Sequence, residues 1–362
     1  MMSQLGTLYD DFGVSPWIDN LQRSWLQDGT LSKLLDLGVR GLTSNPTIFA
    51  NAISKGEEYD EQISTLKDQS ADAAYWALVL RDIGDAADLT KSLFVSSGES
   101  DGFISIEVDP RLAHEEDATV EAALALAKTL DRPNVMIKVP ATKAGVRAFR
   151  RIIAQGVSVN VTLIFSVPRY LEVMEAYLGG LAELAETDPS RVSKVHSVAS
   201  FFISRTDTKV DSMLDKIGRE ELAGRAAIAQ AKLAYQEFLA TFSSPRWNEL
   251  SAHGANLQRP LWASTSTKNP AYPDLLYVEG LIGPNCVNTM PQATLEAYID
   301  HGKPTVSLTQ GVDDAHQIVA ELAAVGIDLL DVANELEDEG VKSFASSHES
   351  ILALLNDKLQ RS

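Results

Sequence analysis

The 362-residue sequence predicts a (β/α)8 TIM barrel with additional helices, including a helical C-terminal tail. Short apolar or β-branched runs alternate with longer amphipathic stretches, the pattern of a parallel sheet. There are eight such runs in one uninterrupted chain. No G-x-G-x-x-G follows any run and no G-x-x-x-x-G-K-[ST] occurs, which weakens a doubly wound sheet as the competitor. No repeat, linker or shift in composition marks an internal boundary. Residues 1–362 are therefore expected to form one domain, although ~150 residues per domain would allow two.

The runs are Pro16–Asp19, Gly38–Asn45, Phe103–Asp109, Asn134–Pro140, Val157–Phe165, Lys194–Ile203, Pro260–Thr267 and Asn285–Met290. Between them, a helix is expected over Thr119–Leu130, behind acidic residues suited to a helix start. A second covers Lys143–Ala154 with Thr142 as N-cap. A third covers Val167–Glu186, with Ser166 as N-cap and Pro168 in the first turn. Thr208–Phe242 reads as two helices broken near Gly218, and Thr294–Asp300, Asp313–Val325 and Leu329–Leu359 as further helices. The acidic run Glu335–Glu339 reads as a solvated helix face.

Hydrophobic residues make up 45% and charged residues 22%, the balance of a folded globule. The net charge of −19 argues against nucleic acid and anionic membranes as partners, because both need a basic field. Small anionic substrates stay open, since a few cations inside a pocket decide that locally. The single cysteine, Cys286, excludes an internal disulfide, favours a reducing compartment and should pack as a small hydrophobe. The start, MMSQLGTLYDDFG, has neither a basic nor an apolar signal region, and no apolar run approaches the ~20 residues of a membrane span. A soluble, cytoplasmic chain is the expectation.

Barrels place functional groups at the C-terminal ends of their strands. The residues closing the runs are Asp19, Asn45, Glu107, Lys138, Asn160 with Thr162, Ser200, Ser264 and Asn288. Lys138 is the most informative, because it sits inside the apolar run Val135–Val139, where an isolated ammonium is expensive. It either pairs with a carboxylate or forms a Schiff base, which requires a neutral amine of the kind an apolar wall favours. Glu107 lies thirty-one residues earlier, about one βαβ unit, so both side chains are expected at the barrel top. Glu107 either neutralises Lys138 or orients a water that shuttles protons during imine formation.

Asp19 either caps a helix over Asn20–Leu37 or takes a proton from a substrate hydroxyl as a C–C bond breaks. Asn45 precedes Pro46, a turn signal. Asn160 and Thr162 are two apart and share a strand face, where a polyhydroxylated ligand would satisfy them. Arg205, Ser264 and Lys268 suggest an anion site after the late strands, against a reading as ordinary surface charge. No histidine falls in a tight ligand pair, so no metal site is expected, and His196 reads as a satisfied core histidine in a strand. No G-x-S-x-G or nucleophilic cysteine signature occurs.

Taken together, these segments resemble transaldolase, a class I aldolase-type family of the pentose phosphate pathway. The matching stretches are Gly41–Pro46, Ser105–Pro110, Ile137–Thr142, Val159–Ser166, Ser200–Arg205, Trp262–Ser264 and Asn288–Pro291. Each is short, but their joint order is specific, and the length is similar to the long bacterial type. The resemblance implies that Lys138 forms the Schiff base with a ketose carbonyl, that Asp19 is general acid/base at the cleaved bond, and that Glu107 moves protons through a water held with Thr162. It implies that Asn45, Asn160 and Ser200 bind the dihydroxyacetone unit, and that Arg205 and Ser264 hold the phosphate with a nearby cation.

The implied reaction moves dihydroxyacetone from sedoheptulose 7-phosphate to glyceraldehyde 3-phosphate, with no cofactor or metal. Many family members carry an arginine two residues after the phosphate-site serine; here that position is Ser266 and the nearest cation is Lys268. Lysine offers a point charge in place of a fork. Two other readings stay open: a fructose-6-phosphate aldolase releasing free dihydroxyacetone, and a non-catalytic sugar-phosphate-binding barrel. Monomer and homodimer stay open as well.

Overall fold

The computed structural model describes residues 3–361. Eight parallel strands close into a barrel in sequence order: β1 (Val14–Ile18), β2 (Gly41–Leu42), β3 (Phe103–Glu107), β4 (Val135–Pro140), β5 (Val159–Ile164), β6 (Ser197–Phe202), β7 (Gln258–Ala263) and β8 (Cys286–Met290). Each expected run overlaps one strand, with β1 and β7 each beginning two residues before the run that marks it. β8 pairs back to β1 from Val14↔Cys286 to Ile18↔Met290, which closes the ring. The shortest strand, β2, sits where a Cβ on Gly41 would lie 2.4 Å from the Trp17 ring, so glycine is what lets the wall approach that inward tryptophan.

Strand residues two apart share a face, and register partners on neighbouring strands point the same way. The inward set is thereby fixed. Trp17, Phe103, Met136, Val198, Leu261 and Val287 are buried in one cluster that packs the barrel interior. Two residues further along their strands stand Asp19, Ser105, Lys138 and Ser200. Glu107 is level with Lys138, and Lys138 with Asn160. A second apolar cluster fills the space between strands and outer helices.

The helices follow the expected series. Thr142 caps Lys143–Ala154 by accepting from the Gly145 N–H, and Ser166 caps Val167–Thr187 by accepting from Arg169. The long Thr208–Phe242 stretch splits into Ser204–Lys216 and Ala226–Thr241, with Gly218 in the left-handed region between them. Two expectations fail. Asp19 does not cap a helix: the chain forms two short helices, Arg23–Gln27 and Thr30–Leu37, separated at Gly29 with φ +80°. His196 lies just before β6 and is not satisfied; its ring packs 5.0 Å from Phe103 and its Nε2 has no hydrogen-bond partner. Burial lowers its pKa to about 4.

Cys286 opens β8 in full burial, which pushes its thiol pKa up. The C-terminal helix, Leu329–Arg361, crosses the C-terminal end of the barrel. β5 prepares its seat. A register shift between Val161 and Ile164 puts Leu163 at φ +61° and turns its side chain onto that helix. Gly340 receives it, since a Cβ there would lie 2.8 Å from Leu163. The acidic face is tethered at its margin, where Lys209 pairs with Glu335 and Glu339, and Arg169 with Glu337. Among the described residues no helix is long and apolar enough to cross a membrane.

Candidate active site

At the C-terminal ends of the strands lies a pocket of about 140 Å³, lined among others by Asp19, Thr43, Asn45, Lys138, Thr162 and Ser200. Its far wall carries Arg205, Ser264, Ser266 and Lys268, and Phe344 of the C-terminal helix. A larger cleft of about 810 Å³ opens at the other end of the barrel near His196 and Trp247. No lysine lines that cleft among the described residues, and barrel chemistry belongs at the C-terminal ends.

Lys138 is only 4% exposed. Its Nζ donates to the Ser44 carbonyl at 3.2 Å and stands 3.6 Å from Glu107 Oε2, and the Phe344 ring centroid is 5.6 Å away. Glu107 is 6% exposed, and burial raises its pKa to about 7 despite the opposing charge of Lys138. A carboxyl poised there exchanges protons in both directions at neutral pH. Glu107 Oε2 and Thr162 Oγ1 are buried beside this lysine without a hydrogen-bond partner.

Asp19 follows β1 and receives the Thr43 hydroxyl at 2.6 Å; Thr43 and Thr289 hydroxyls lie 2.7 Å apart behind it. Burial raises the Asp19 pKa, and Lys138, Thr43 and Arg205 oppose the rise. Asn45 is the N-cap of the Pro46–Lys55 helix. Its Oδ1 accepts the Ile48 N–H, which leaves the amide NH2 for the pocket. Asn160, the register partner of Lys138, is fully buried: it donates to Ser105 Oγ at 3.0 Å and accepts from Ser200 Oγ at 2.7 Å. Its polar atoms are met by barrel neighbours, and it acts on the pocket by orienting Ser200. Asn288 faces away from the barrel interior, because it alternates with the inward Val287 and Thr289 and pairs with Pro16 and Trp262, and it accepts from Thr265.

The anion candidates converge. Arg205 opens the Ser204–Lys216 helix with its guanidinium 5.2 Å from the Phe202 ring, and burial lowers its pKa. Ser264 directly after β7 has φ +58°, and its hydroxyl lies 2.8 Å from that of Ser204. Lys268 is exposed and donates to Ser266 Oγ at 2.7 Å. The position expected to hold an arginine thus carries a serine linked to a lysine. Lys138, Arg205 and Lys268 against Asp19 and Glu107 make the site locally cationic in a strongly acidic protein.

With this geometry the sequence relationships are specific. The family model described as Transaldolase/Fructose-6-phosphate aldolase matches residues 16–355. The chain belongs to that family. It is 50% identical over 347 residues to a protein named transaldolase from Mycolicibacterium smegmatis, covering 94% of this chain and 93% of the relative. It is 49% identical over 354 residues to a transaldolase from Parafrankia sp., covering 96% of each. A transaldolase from Saccharopolyspora erythraea is 48% identical over 356 residues, covering 97% of this chain and 96% of the relative.

Sequence reasoning missed Thr43, Phe202, Ser266 as a pocket residue, Thr289 and Phe344. Thr43 stood inside a named motif and two residues before Asn45. Phe344 carried no local signal, because only tertiary packing brings the tail to the barrel mouth.

Proposed function

We propose that Lys138 carries the transaldolase reaction of this chain as its Schiff-base residue. The observation behind this reading is a nearly fully buried lysine at the end of β4, 3.6 Å from a carboxyl poised near pH 7. The amine attacks the ketose carbonyl. Glu107, acting through a water shared with Thr162, removes the ammonium proton and returns one to the departing hydroxide. Asp19 takes the proton of the hydroxyl beside the scissile C–C bond. The electron pair of that bond moves into the iminium, and the aldose leaves. The enamine that remains then attacks the acceptor aldehyde, Asp19 returns its proton, and hydrolysis frees Lys138. Asn45 and Ser200 hold the dihydroxyacetone hydroxyls, Asn160 orients Ser200, and Arg205, Ser264 and Lys268 hold the phosphate.

Borohydride trapping with fructose 6-phosphate, followed by peptide mass mapping, tests the assignment. A reduced adduct on the peptide containing Lys138 is expected; an adduct on another lysine overturns it. The acid limb of kcat/KM should fall as pH drops through about 7, because a protonated Glu107 no longer accepts the amine's proton. Glu107→Gln should lower kcat about 100-fold and remove that limb. A limb unchanged in the variant assigns it to another group.

A further inference from the structure

His348 is fully buried on the C-terminal helix, yet neither ring nitrogen has a hydrogen-bond partner. A buried imidazole without partners calls for a physical reason. Its Nε2 stands 3.9 Å from Asp72 Oδ1, beyond hydrogen-bond reach, and its ring is held edge-on to Tyr75 at 4.7 Å. Donor atoms of Asp72, Asp109 and His348 lie within 4.8 Å of one another. We propose that these three residues form a binding site for a divalent transition-metal ion of the zinc class, with water completing the coordination.

Two carboxylate oxygens and one imidazole nitrogen suit zinc or cobalt. Zinc ligands at about 2.1 Å stand about 3.4 Å apart when tetrahedral, so the cluster must contract, and Asp72, 44% exposed, is free to swing. Asp109 is oriented in advance, because its Oδ1 accepts the Arg111 backbone N–H at 2.9 Å. Burial lowers the His348 pKa, which keeps the ring in its neutral, ligating form.

The Arg111 side chain is the competing cation: it reaches Asp72 at 2.7 Å and forks onto Asp109. At 45% exposure it can leave toward solvent and open an entry path. The ligands come from the start of the Ala71–Ser96 helix, the turn after β3 and the C-terminal helix, so no sequence spacing reveals the site. A bound ion would pin the C-terminal helix one turn from Phe344, the residue it contributes to the pocket wall.

The test is calorimetric titration of the chelator-treated full-length protein with Zn2+, with Co2+ absorption reporting coordination. One saturable ion per chain is expected. His348→Gln and Asp72→Asn should each weaken it at least about tenfold. Arg111→Ala should tighten it. Asp72 is only part-buried, so its variant keeps the test valid if His348→Gln fails to fold. Absence of saturable binding, or binding that survives both substitutions, overturns the proposal. So does loss on His301→Ala alone, which would assign the ion to the exposed cluster of His301 with Asp274 and Asp300.

Discussion

Lys138→Ala is expected to lower turnover by roughly 10⁴-fold or more, measured as erythrose 4-phosphate formed in the presence of an acceptor aldehyde. Lys268 is the other lysine at the pocket among the described residues, and it is exposed and tied to Ser266, so it offers no substitute amine. The same variant separates the alternatives: a binding barrel keeps its function, whereas a transferase or a lyase loses it. Retention of a tenth of wild-type turnover would move the imine to another residue.

The stability cost of Lys138→Ala also has a sign. Breaking a buried ion pair by deleting one partner costs about 3–5 kcal/mol when the remaining charge must stay ionised. Glu107 already titrates near 7 in the folded protein, above its usual 4.5, so it escapes much of that cost by binding a proton. Lys138 is what holds its pKa down, and without the lysine it rises further. In the wild type the ionisation penalty accumulates between pH 4.5 and 7 and is complete above 7; in the variant it continues to accumulate above 7. The Tm deficit of Lys138→Ala should therefore be larger at pH 8 than at pH 6. A deficit independent of pH would mean that Glu107 does not carry it.

The parts of this protein legible in sequence were those with local causes. Short apolar or β-branched runs marked all eight strands, and Thr142, Ser166 and Gly218 acted on their own helices. The candidate site was legible because the barrel converts a linear property, an inward residue near the end of a strand, into a common location. Lys138 and Glu107 are register partners for that reason. Features settled by long-range packing were not legible. Whether Asp19 would cap a helix depended on the first helix starting only at Arg23, behind Gln22, and on Thr43 arriving from the next strand to bind its carboxylate. Asn160 looked available to a ligand because sequence does not reveal that Ser105 and Ser200 stand beside it. Phe344 reaches the pocket only because the shifted backbone at Leu163 and the missing side chain at Gly340 seat the helix there.

Arg205→Ala should lower kcat/KM for phosphorylated substrates by about 10³-fold, chiefly through KM. Two hydrogen bonds from a guanidinium to a phosphate at about 2 kcal/mol each give that figure. The geometry supports concentrating the effect on this residue. Arg205 is partly buried above Phe202, beside the Ser204–Ser264 hydroxyl pair and at the N-terminus of a thirteen-residue helix, where backbone N–H groups also favour an anion. Lys268 is exposed and its charge is screened, so Lys268→Ala should cost only about threefold. Arg205→Lys should recover part of the loss, since a point charge replaces a fork.

The substitution has a second, separable signature. Arg205 helps hold the Asp19 pKa down, so its removal should raise that pKa and move the Asp19-dependent limb of the rate profile to higher pH. Initial rates with fructose 6-phosphate and with fructose across pH measure both effects. Equal losses on the two substrates would place Arg205 outside the phosphate site. A selective loss with the shifted limb would tie phosphate capture and proton transfer to one cation.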